Sequence, residues 1–158
     1  MSFFVNPTKA PAPKTTNVQK ISFLLGGIFL VMALSQLFTF EKFPSVIEQM
    51  WVGGESQAKL IAAILVTTEV LALPFLLRLR LSIAMRFLSM VMGWLAIVLW
   101  LWLALWQNIQ AAPIANSGLL GATLKLPVGL WDIFFFIGLA VLAAWTAWGM
   151  WPLQKSTK

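Results

Sequence analysis

The sequence predicts an all-α integral membrane protein, a four-helix up-down-up-down bundle with both termini on one side. Three observations predict it. Hydrophobic residues make up 60% of the 158 residues, charged residues only 10%, and mean hydropathy is +0.88. A soluble domain carries about a quarter charged residues. Four apolar runs stand out, at residues 21–40, 60–79, 81–106 and 130–151. Each is about 20 residues or longer, enough for a helix to cross a hydrocarbon core of about 30 Å. The charges are sorted between the two sides of these spans.

The first span follows a tail, residues 1–20, that holds Pro7, Pro11 and Pro13. Its apolar run is longer than a signal-peptide core, and no clear small-residue cleavage site follows it. It reads as a retained anchor. In the loop after it, Ser45 and Glu48 have capping-box spacing, and Val46, Ile47, Met50 and Trp51 share one apolar face. That predicts a short amphipathic helix at 45–51, stopped by Gly53-Gly54. Two roles stay open for it, lying on the outer membrane surface or forming a docking lip for a partner.

Spans two and three are joined only by Leu77-Arg78-Leu79-Arg80-Leu81, so they must be adjacent and antiparallel. The third loop, 107–129, is long and mostly uncharged. It contains Pro113, Asn116, Gly118, Gly121 and Pro127, and it is able to cover a neighbour or fold over the bundle. Residues 153–158 form a short tail.

Of the 11 Lys and Arg, Lys9, Lys14, Lys20, Arg78, Arg80, Arg86, Lys155 and Lys158 fall on one side, and Lys42, Lys59 and Lys125 on the other. The positive-inside rule therefore predicts cytoplasmic termini in a bacterial inner membrane. The net charge of +6 is a topology signal, with anionic lipid headgroups rather than nucleic acid as the expected partners. Tryptophans mark the boundaries: Trp51, Trp106 and Trp131 outside, Trp148 and Trp151 inside. Trp94, Trp100 and Trp102 lie deeper and need packing or lipid contacts.

Each span carries a small or polar stripe, and the stripes are expected to face one another because small residues let helices approach closely in lipid. They run through Ser22, Gly26, Ala33 and Gln36; Ala58, Ala62, Glu69 and Ala72; Ser82, Arg86, Ser89 and Gly93; and Ala140, Ala143, Ala144 and Ala147.

The absence of Cys, His and Tyr removes disulfides, thiol nucleophiles and His-based acid–base or haem chemistry, and no covalent or metal cofactor is expected. Only five acidic residues remain. Asp132 at the start of the fourth span is explained by the positive helix end. Glu69 falls near the bilayer midplane, where a carboxyl must be protonated, hydrogen-bonded or paired. An intramembrane carboxyl is a functional candidate, and a structural role as a helix cross-link through Gln36 or a carbonyl stands beside it. Arg86 either reaches Glu69 or snorkels toward the headgroups, and snorkelling is the preferred expectation. Ser35, Thr67 and Thr68 are secondary polar candidates whose simpler role is bonding within the bundle.

The residues Leu25-Gly26-Gly27-Ile28-Phe29, Glu41-Lys42-Phe43, Ala62-Ala63-Ile64-Leu65-Val66-Thr67-Thr68-Glu69-Val70 and Leu76-Leu77-Arg78-Leu79-Arg80 resemble the DoxX-like and MauE-like small four-span bacterial membrane proteins. The resemblance covers residues 24–106, about half of the chain. A Gly common soon after the central Glu is replaced by Ala72-Leu73. The resemblance implies a four-span fold and an association with quinone-coupled sulfur oxidation or with maturation of periplasmic redox enzymes. The dithiol mechanism of related four-helix oxidoreductases is excluded, because it needs cysteines. Two main readings follow. One is a non-catalytic subunit or assembly factor of a larger membrane complex. The other is a quinone- or proton-linked component using Glu69, with a bound quinone or lipid. A small-solute transporter is the weaker third reading, since no inverted repeat or broken helix is evident.

Overall fold

The fold was established from a computed structural model that describes residues 7–50, 53–110 and 116–151. The described residues form five helices: α1 (Thr16–Phe38), α2 (Phe43–Met50), α3 (Glu55–Leu76), α4 (Ile83–Gln110) and α5 (Leu130–Gly149). All but α2 are long and apolar enough to cross a membrane. They close into a ring in which α3 packs on α1 and α4, and α5 packs on α4 and α1. The two ends differ. One carries the α3–α4 hairpin with the start of α1 and the end of α5, and the other carries α2.

Several boundaries differ from the sequence expectation. Helix α1 begins earlier, at Thr16, because Thr15 caps it, its Oγ1 accepting from the Val18 amide at 3.3 Å. Helix α3 ends at Leu76 and α4 begins at Ile83, a few residues inside the expected span limits. Pro74 removes a backbone donor near the end of α3, and Arg78 takes the left-handed conformation (φ 58°), which ends the helix. Leu77, Leu79 and Leu81 belong to the turn. Helix α4 instead runs on to Gln110, and α5 ends at Gly149.

The short helix begins at Phe43, with Pro44 in its first turn, where a missing amide costs nothing. The capping box is not formed, since Ser45 Oγ donates to the Lys42 carbonyl at 2.6 Å. Phe43, Val46, Ile47 and Met50 are buried, so the apolar face of α2 packs on the bundle. Trp51 lies outside the described residues.

The small stripes sit at the helix contacts with one exception. Ser22, Gly26, Ala33, Ala58, Ala62, Ala72 and Ser89 are buried, and Gly93 is half-buried. A Cβ at Gly26 would lie 3.2 Å from Leu77 Cδ2, and one at Gly93 would lie 3.4 Å from Ala72 Cβ. The α5 expectation needs correction. Ala143 and Ala147 are buried and Ala140 is half-buried, but Ala144 is exposed. The inward face of α5 runs through Phe136, Leu139, Ala143 and Thr146, and Ala144 lies about 100° away from Ala143.

One contact joins α3 and α4 at the level of Pro74. Ser89 Oγ accepts from the Phe75 amide at 3.0 Å and donates to the Leu71 carbonyl at 2.6 Å. An uninterrupted α-helix would join that amide to that carbonyl directly. The hydroxyl is thus inserted into the ladder of α3 beside its proline, satisfying both groups where lipid offers no water. Ser22 makes a simpler link of the same kind, donating to the Leu76 carbonyl at 2.5 Å.

Ser89→Ala should therefore destabilise the bundle by about 1–2 kcal/mol. Thermal unfolding in mild detergent measures this. In a Pro74→Ala background α3 regains its own ladder, and the same substitution should cost less than half as much.

Candidate functional site

Glu69 is fully buried. Its Oε1 accepts from Trp100 Nε1 at 2.6 Å and from Gln36 Nε2 at 3.2 Å. Antiparallel helix direction explains how these residues meet. Side chains lean toward the N-terminus of their own helix. Glu69 on α3 therefore leans toward the α2 end, while Gln36 on α1 and Trp100 on α4 lean toward the hairpin end. Three long side chains converge although their backbones lie at different heights.

The same cluster reaches the remaining elements. Gln36 Nε2 also donates to the Leu119 carbonyl at 3.2 Å, tying in the loop before α5. The Trp100 ring stacks on Phe136 of α5, with centroids 5.6 Å apart and planes 6° from parallel. One carboxyl thus connects α1, α3, α4, α5 and the loop. Among the described residues, Glu69 Oε2 and Gln36 Oε1 are buried without a hydrogen-bond partner.

The loop at 116–129 folds over the bundle. Asn116 organises it: its Nδ2 donates to the Gly121 carbonyl at 3.0 Å, and its Oδ1 accepts from the Gly118 and Leu126 amides. Thr39 and Ser35 at the end of α1 hold it, with Thr39 Oγ1 accepting from the Ala122 amide at 3.0 Å and the Ser35 carbonyl accepting from Thr123 Oγ1 at 3.2 Å. Gly121 has a φ of +60°, and a Cβ there would fall 3.0 Å from both Gln36 Cα and the Ser35 carbonyl oxygen. Only glycine combines that conformation with that approach.

The structure does not bring Arg86 to Glu69; the side chain turns instead to the hairpin end of the bundle. Arg86 is buried, and its Nη2 donates to the Thr8 carbonyl at 2.9 Å and the Leu81 carbonyl at 3.2 Å. Residues 7–15 lie across the hairpin end. Thr8 N donates to the Leu81 carbonyl at 3.0 Å, Arg78 Nη2 to the Pro11 carbonyl at 3.3 Å, and Lys14 N to the Gly149 carbonyl at 3.1 Å.

Thr68 bonds back within α3, its Oγ1 donating to the Leu65 carbonyl at 2.8 Å, and Thr67 is exposed. Asp132 is buried and does more than face a helix end. Its Oδ1 accepts from the Ile133 amide at 2.9 Å and from Asn108 Nδ2 at 3.4 Å, linking α5 to α4. Trp131 is exposed and donates to the Pro127 carbonyl at 2.7 Å. Trp106 is half-buried, while Trp148 and Trp151 are exposed.

Trp100 is the site residue that sequence reasoning placed too loosely. A signal was present. An indole N–H deep in a span needs an acceptor, and Glu69 is the sole ionisable acceptor inside the spans away from their ends.

The helices and this buried cluster define a small integral membrane protein. No known family pattern, curated relative or solved structure matches the chain.

Glu69→Gln retains an acceptor for both donors and should unfold within about 1 kcal/mol of the native chain. Glu69→Leu strands Trp100 and Gln36 and should cost about 1–3 kcal/mol, read by the same detergent unfolding assay. Gly121→Ala should release the loop from α1, raising protease cleavage within residues 116–126 while α-helical circular dichroism is retained.

Proposed function

We propose that this chain is a non-catalytic subunit or assembly factor of a larger bacterial membrane complex. The supporting observation is the use made of Glu69. Its Oε1 receives two internal donors and its surroundings join all four spanning helices and the covering loop. That arrangement suits a bundle whose task is to hold a shape. The spanning helices also keep large apolar side chains outward, among them Val98, Trp102, Phe134 and Val141, which lie ready for lipid or for helices of a neighbour. Sorting of Lys and Arg supports an inner-membrane orientation with cytoplasmic termini. The DoxX-like resemblance favours a redox complex.

A second reading is favoured by one specific observation. Among the described residues, Glu69 Oε2 and Gln36 Oε1 are buried without a partner, and a protonated Glu69 Oε2 is a group able to exchange a proton or donate to a quinone carbonyl.

Purification from native membranes in mild detergent after chemical crosslinking separates the two. The subunit reading expects other membrane proteins to co-purify, and Glu69→Gln to assemble and support activity normally. Isolation as a monomer carrying extractable quinone, with activity lost in an assembled Glu69→Gln variant, would overturn it in favour of the second.

A further inference from the structure

An outward-facing groove runs between α1 and α5. It encloses about 510 Å³ and is lined by Phe23, Leu24, Gly27 and Val31 of α1, by Phe135 of α5 and by Leu120 of the covering loop. Every one of these side chains is apolar. Gly27 deepens it, since a Cβ there would meet nothing within 4 Å.

A cation precedes the groove on α1, about one turn before Phe23. Lys20 is exposed and lies on the same stripe of α1 as Gly27 and Val31. At about 100° per residue the three fall within roughly 40° of one another. Lys20 precedes Val31 by 11 positions, a rise of about 16 Å, which is about one leaflet of a 30 Å core. Its side chain leans toward the N-terminus of α1, out of the groove and toward the headgroup level. Lys14 lies at the same end, its Nζ 4.2 Å from the centroid of the exposed Trp148 ring. Among the described residues no carboxylate side chain answers these charges there. Glu41, Glu48, Glu55 and Asp132 belong to the α2 end, and Glu69 is sealed in the bundle.

We infer that the α1–α5 groove is a binding site for one anionic phospholipid, its acyl chain along Phe23–Val31 and its phosphate on the Lys20 ammonium. Length, apolar lining and the Lys20 cation at one end match a methylene chain that ends in a phosphate. A wholly apolar partner helix filling the groove would leave Lys20 without a counter-charge at the rim. The site lies outside the Glu69 cluster, so it stands or falls independently of the subunit reading.

The test uses the full chain in mild detergent, titrated with phosphatidylglycerol or with phosphatidylcholine of the same acyl chains, and read by native mass spectrometry. One phosphatidylglycerol should be retained in preference to phosphatidylcholine. Lys20→Gln, an exposed change that leaves the fold intact, should weaken phosphatidylglycerol retention about fivefold and affect zwitterionic phosphatidylcholine much less. Gly27→Phe should fill the groove and reduce retention of both. Equal retention of the two lipids by the native chain, or an undiminished preference in Lys20→Gln, overturns the proposal. So does disulfide crosslinking of two Gly27→Cys chains in the membrane, which would make a second copy the occupant.

Discussion

The structure depends on the rule that a polar group within lipid must find its partner inside the protein. Glu69 is the strongest instance. An unpaired carboxyl at that depth costs several kcal/mol, so the helices that supply its donors are held to it. Gln36 comes from α1, Trp100 from α4, and Phe136 stacks behind the indole from α5. Small residues on the same stripes permit the approach, but they are adhesive in no particular register. The carboxyl supplies the register.

The same rule operates at smaller scale elsewhere. Pro74 interrupts the ladder of α3, and the Ser89 hydroxyl bridges the amide and carbonyl involved. Gln36 makes two such links, since its amide also donates to the Leu119 carbonyl and thereby fixes the covering loop. Both ends of the bundle are closed by chain rather than left to solvent. At the hairpin end residues 7–15 bring carbonyls to Arg86 and Arg78. At the α2 end the loop lies on Thr39 and Ser35.

Closure changes how the polar inventory is read. Arg86 in isolation invites pairing with Glu69, because the two are the charged residues nearest the middle of their spans. The N-terminal segment removes that need with neutral acceptors. Asp132, read as a helix-end charge, proves also to join α5 to Asn108 of α4. In each case the partner comes from a segment distant in sequence, whose position no local pattern specifies.

Four spans, their approximate limits, the tight α3–α4 hairpin and the prominence of Glu69 and Gln36 were legible in the sequence, because hydropathy and charge cost are local properties of each segment. Three of the four small stripes were legible too, since they repeat at the helical period. The errors share a cause. The ends of α3 and α4, the start of α2, the exposure of Ala144 and the partner of Arg86 depend on how separate elements lie against one another. Composition alone determined that this chain belongs in a bilayer and has no thiol or histidine with which to do chemistry. Only the tertiary structure decided that Trp100 completes the Glu69 cluster, because an indole eleven residues beyond Ser89 finds its acceptor through the lean of antiparallel helices, and that geometry exists only after they have packed.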